Sequence, residues 1–147
     1  MMRPGPILLG ALIALAPALG AGGAFAQARA NYILRCAGCH GMEGLGTEIG
    51  GVPAFPNSVE FLANDDAGRT YIMHVPGVVG ASLDDAEIAE VMNYVVAHWS
   101  ETPAPPFTEE EVRRRRAEHV PDVVARRAEI AARLASEGKV LAPYPWP

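Results

Sequence analysis

The chain has 147 residues, enough for one domain or one domain with an appendage. Its 17 acidic side chains outnumber 12 basic ones, for a formal net charge of −5. That balance argues against nucleic acid and anionic lipid as partners.

Met1-Met2-Arg3 carries one positive charge, an apolar run from Ile7 to Leu19 comes next, and small residues lead to Ala24-Phe25-Ala26. A charged start, an apolar stretch and an A-x-A site predict a signal peptide over residues 1–26, with Gln27 the first mature residue and a cut after Ala28 the near alternative. The competing reading is an uncleaved membrane anchor, because no charge interrupts the stretch between Arg3 and Arg29. Pro17 and the many Gly and Ala residues weaken it as a spanning helix. The expectation is an exported protein that meets a membrane only if the signal is uncleaved.

The mature chain is predicted to open with a short helix over residues 28–39, because Tyr32, Ile33 and Cys36 recur at helical spacing. It ends in Cys36-Ala37-Gly38-Cys39-His40. On one helical turn, two thiols three residues apart can reach the two vinyl groups of one haem and form thioethers, and the adjacent His40 then falls under the iron as an axial ligand. A structural zinc site would need four ligands, but there is no second Cys pair, and His74, His98 and His119 are scattered. A thioredoxin-like pair would need a neighbouring β-α-β pattern, and the residues after His40 are glycine-rich. A plain disulfide between the two cysteines would leave His40 unexplained. The implied cofactor is a single covalent haem c. A region of residues 27–100 is small for a side-chain core alone, and a buried macrocycle would serve as its centre.

Residues 41–56 read as an ordered loop around the haem edge, with Pro53 or a neighbouring carbonyl as acceptor for the second ring nitrogen of His40. Residues 57–62 and 67–74 look like two short helices broken at Asn64-Asp65-Asp66, and residues 75–80 like a turn-rich crossing. Ser82 is expected to cap a long helix with Asp84, Asp85 and Glu87 in its first turn. Its apolar residues Ile88, Val91, Met92, Val95, Val96 and Trp99 fall at i, i+3, i+4, i+7, i+8 and i+11, a broad buried stripe. No strand pattern occurs, so the fold class is all-α.

Together, the Cys36-Ala-Gly-Cys-His40-Gly41 motif, the loop with Pro53, the Val75-Pro76-Gly77 turn and the helix around residues 83–94 resemble class I c-type cytochromes. The resemblance spans about residues 28–99. It implies a small helical fold around one haem that carries single electrons between periplasmic proteins, serving a dehydrogenase or respiratory chain, and no enzymatic activity. Haem attachment of this type is extracytoplasmic in the family, in keeping with the signal peptide. Family members commonly take the sixth iron ligand from a Met-Pro turn shortly before the last helix, but here Val75 precedes Pro76. Met73 ranks first as the sixth ligand and His74 second. Met92 belongs to the buried stripe, and Met42 lies too close to His40 to reach the other haem face. An open or weakly ligated sixth position would instead suit a haem enzyme or a gas-binding sensor.

Beyond Trp99, Pro-rich residues 101–106 read as a stiff linker. Thr108 and Glu111 form a capping box for a helix to about residue 118, and a second helix is predicted over residues 123–137. The stripe Val123, Ile130, Leu134 is too thin for an independent domain. The arginine run 113–116, coming after three glutamates, reads as ion pairs along a solvated helix. Residues 101–147 are thus a helical C-terminal extension, whose Trp146 is a candidate to pack back onto the haem domain or onto a partner. Residues 27–100 carry nine acids against three arginines, which points to a redox protein partner with a basic docking surface. Asp84, Asp85, Glu87 and Glu90 are the expected contact acids.

Overall fold

The computed structural model describes residues 20–145. These form eight helices, α1 (Gly20–Arg35), α2 (Ala37–His40), α3 (Val59–Ala63), α4 (Asp66–His74), α5 (Pro76–Val79), α6 (Asp85–Trp99), α7 (Glu109–Arg116) and α8 (Val123–Ser136). Among the described residues the only β-type pairing is an isolated bridge between Thr47 and Val52. The fold is all-α.

Two corrections concern local structure. The single helix expected over residues 28–39 is two, because the chain breaks at Cys36 and a separate turn carries the rest of the motif. The long helix is capped by Asp84 rather than Ser82. The Asp84 carboxylate accepts from the Glu87 amide at 2.8 Å while Glu87 accepts from the Asp84 amide at 3.0 Å. That reciprocal box satisfies two amide donors, and Ser82 sits just outside it with φ +55°. Most of the predicted signal peptide lies outside the described residues. Its expected cleavage junction falls inside α1, where the Phe25 ring rests 5.3 Å from that of Tyr94.

Ile88, Val91, Met92 and Val95 of the α6 stripe are buried and Val96 and Trp99 partly so, while Ala89 and Tyr94 beside the stripe are buried as well. The extra burial has a simple cause, since α1 packs on one side of α6 and α7 on another. The core continues past the end of α6. Phe107, Val112, Ile130, Leu134 and Leu141 belong to the same apolar cluster as Tyr32, Ile72 and Val95.

Two arginines stitch the extension onto α4. Arg69, buried, donates to both carboxylate oxygens of Glu111 at 2.6 and 2.5 Å and to the carbonyls of Ala63 and Pro105, with the Phe107 ring 3.7 Å from its guanidinium. Arg115, also buried, bonds Glu111, Thr70 and Asp66. Arg115 thus departs from the solvated face expected of the 113–116 run, whose other three arginines are exposed. No helix among the described residues is long and apolar enough to cross a membrane. Trp146 lies outside the described residues.

Candidate functional site

The cysteine-histidine motif is folded as one tight turn about the Cys36 carbonyl, which accepts from the amides of Cys39 and His40 at 3.1 and 3.0 Å. The turn stops at Gly41, whose φ of +73° suits glycine. Tyr32, wholly buried on α1, donates its hydroxyl to the Gly41 carbonyl at 2.5 Å and so ties the end of the motif to the preceding helix. Both thiols are unbonded, Cys36 half-buried and Cys39 exposed.

The His40 ring stacks on Phe55 with centroids 4.0 Å apart and planes 14° from parallel. Its Nδ1 is buried without a closed hydrogen bond. Burial pushes the imidazole down to about 4, and the Pro53 carbonyl facing it pulls weakly the other way without aligning into a full bond. The ring is therefore neutral near pH 7, the form that ligates a metal. A small tightening of the loop would close the bond to Pro53 and fix the ring's orientation.

Behind His40 lies an aromatic layer. Phe55 and Tyr32 each meet Trp99, at 5.2 and 5.0 Å, and Tyr32 meets Tyr94 at 5.6 Å. The loop reaches this layer through Gly44 (φ +66°), where a Cβ would stand 2.7 Å from the Trp99 ring. Sequence reasoning missed Phe55, since a single aromatic in an irregular loop carries no periodic signal.

The two residues ranked for the sixth ligand lie at the end of α4. Met73 is wholly enclosed in the core. His74 has Nδ1 at 2.9 Å from the Thr70 carbonyl and Nε2 at 2.8 Å from that of Glu118, so its ring faces the extension.

Two free thiols and a neutral imidazole on one turn, with a carbonyl poised behind the imidazole, suit a covalent haem of the c type. No family model matches the chain. It is 32% identical over 117 residues to a cytochrome c-552 of Thermus thermophilus, covering 64% of this chain and 78% of that protein. The chain belongs to the c-type cytochromes. A second Thermus thermophilus cytochrome c-552 is 31% identical over 110 residues, covering 60% of this chain and 83% of that protein. Those shares exceed the half of this cytochrome that residues 27–100 represent, so the likeness is not confined to the haem region.

Proposed function

We propose that this cytochrome is a class I-like single-electron carrier that works in the periplasm with one covalently bound haem c. Cys36 and Cys39 are its thioether anchors and His40 its proximal ligand. The observation that carries the reading is the turn at residues 36–40, where both free thiols and the neutral ring project from one short, clamped segment. When bound, the haem supplies a reversible one-electron couple. The chain's own residues do the rest: Tyr32 holds the turn, Phe55 stacks on the His40 ring with the Pro53 carbonyl facing its Nδ1, and the aromatic layer excludes water behind it.

The apolar run and A-x-A site at the N-terminus support export. The partner we propose is a redox protein of a dehydrogenase or respiratory chain with a basic docking surface. Its contact acids need revision, because Asp85 is engaged by Arg116 at 2.7 Å and Arg113 at 3.6 Å. Asp84 and Glu87 close the α6 cap. Glu43 and Glu48, exposed on the loop after the haem motif, are better placed.

The full chain, produced with export and haem attachment, should retain one haem per protein after denaturation and show one reversible one-electron wave by voltammetry. Changing both Cys36 and Cys39 to Ala should abolish retention, and either single change should leave a single thioether. Retention in the double variant would overturn the assignment.

A further inference from the structure

Of the seven arginines in residues 101–147, six meet a carboxylate: Arg113, Arg114, Arg115, Arg116, Arg126 and Arg133. Arg127 on α8 meets none among the described residues, although it is buried to 4% exposure. Its Nη2 donates to the Ala142 carbonyl at 2.9 Å, and its Nε is enclosed with no acceptor. The Tyr144 ring centre lies 5.3 Å from the guanidinium carbon. Burial pushes the neighbouring Tyr71 hydroxyl up to about 12 against the pull of Arg127, so it stays neutral and supplies no counter-charge. An enclosed cation without an anion is unfavourable, because it loses water and nothing of opposite sign takes its place.

The same residue lines a groove of about 310 Å³ between α8 and the tail. That volume is at the small end of ligand sites, roughly 300–1,000 Å³. One wall is the α8 face of Val124, Ala128, Ala131 and Ala135, which share a side at helical spacing; Val140 and Leu141 belong to the other. The three alanines keep the helix face low and so leave room under the tail. No acidic residue lines the groove among the described residues. It is an apolar slot with one buried positive charge in its wall.

We propose that this groove binds a small monocarboxylate with a short aliphatic tail, its carboxylate on Arg127 and its carbons along the alanines of α8. The site lies in the extension and stands independently of the haem reading. A guanidinium presents paired N–H donors that match a carboxylate, and the alanine and valine lining favours burial of aliphatic carbon. An amine of the same length would set like charge against Arg127. Occupation should also tighten the tail, since Arg127 and Ser58 both hold Ala142.

The test titrates octanoate into the full haem-loaded chain at pH 7, with 1-octanol, octylamine and acetate for comparison. Calorimetry should show one saturable octanoate site per chain, roughly millimolar or tighter for so small a ligand. The melting temperature should rise with octanoate concentration. Octanol lacks the charge and acetate the tail, so each should bind at least about tenfold more weakly, and octylamine should not bind. Arg127→Gln should weaken octanoate by at least about tenfold and leave octanol unchanged. Because Arg127→Gln also loosens the tail, Ala131→Leu is the second variant. It fills the groove while keeping Arg127, and it should abolish octanoate binding. The absence of saturable binding, or binding that both variants leave intact, would overturn the site. Equal binding of octanol and octanoate would overturn it too, and so would a fall in melting temperature for Arg127→Gln with octanoate affinity unchanged, which would make Arg127 a clamp for the tail and nothing more.

Discussion

Arg69 and Glu111, 42 positions apart, form a bidentate pair with side-chain exposures of 8% and 17%. A pair this enclosed is costly to break one-sidedly, because the survivor keeps its charge without a partner, at about 3–5 kcal/mol. Glu111→Gln should therefore lower stability at pH 7 by an amount of that order. The Arg69 guanidinium, aided by Arg115 and opposed by burial, holds the Glu111 carboxyl down to about 2 from an ordinary 4.5. The folded pKa lies below the unfolded one, so the stabilisation is complete above about pH 4.5 and is lost as the pH falls towards 2. Chemical denaturation of the haem-loaded protein from pH 7 to 2.5 should show the gap between wild type and Glu111→Gln narrowing below pH 4.5. A gap that stays constant would mean Glu111 is not the titrating group.

At the scale of elements, α7 and α8 complete the fold rather than decorate it. The Asn93 side chain bonds both the amide and the carbonyl of Phe107, at 2.7 and 2.9 Å, and so seats the linker on α6 before α7 begins. Ser58 and Arg127 then hold Ala142 of the tail, each at 2.9 Å. Truncation after Glu101 removes the carboxylate from Arg69 and uncovers the faces of α4 and α6 that Val112, Ile130 and Leu134 protect. The melting temperature should fall by at least about 10 °C, given the cost of stranding a buried charge and the size of the domain. A truncated protein that melts with the full chain would show these contacts to be energetically idle.

For the whole molecule, the sign of the surface depends on what the extension brings. Arg133 meets Asp65 at 2.7 Å, Arg115 meets Asp66 at 2.7 Å, and Arg116 meets Asp85 at 2.7 Å. Three acids of the haem region are thereby matched by arginines of the extension. The negative field that remains includes exposed Glu43 and Glu48 on the loop beyond His40. Association with a basic redox partner should slow with added salt, since exposed charges are screened over roughly 10 Å at 0.1 M ionic strength. Stopped-flow electron transfer should show Glu43→Lys with Glu48→Lys reducing both the rate and its salt dependence. Asp85→Lys should instead act mainly on stability. A salt-independent rate would point to apolar docking.

The sequence alone determined what is settled within a turn or two of chain. The motif at residues 36–40, the amphipathic face of α6, the Thr108 cap and the break between α3 and α4 all rest on neighbours three or four residues apart, so their signals are local. The shift of the α6 cap from Ser82 to Asp84 is a local competition that the reciprocal Asp84–Glu87 bonds win. Tertiary structure decided everything that needs a distant partner. Arg69 and Arg115 are buried because acceptors 42 to 49 positions away meet them, and no periodicity in either segment announces that meeting. Phe55 became the support of His40 only once the loop folded over α1 and α6. Met73 and His74 are adjacent in sequence, yet packing sends one into the core and the other to the extension, because neighbouring positions on a helix point about 100° apart.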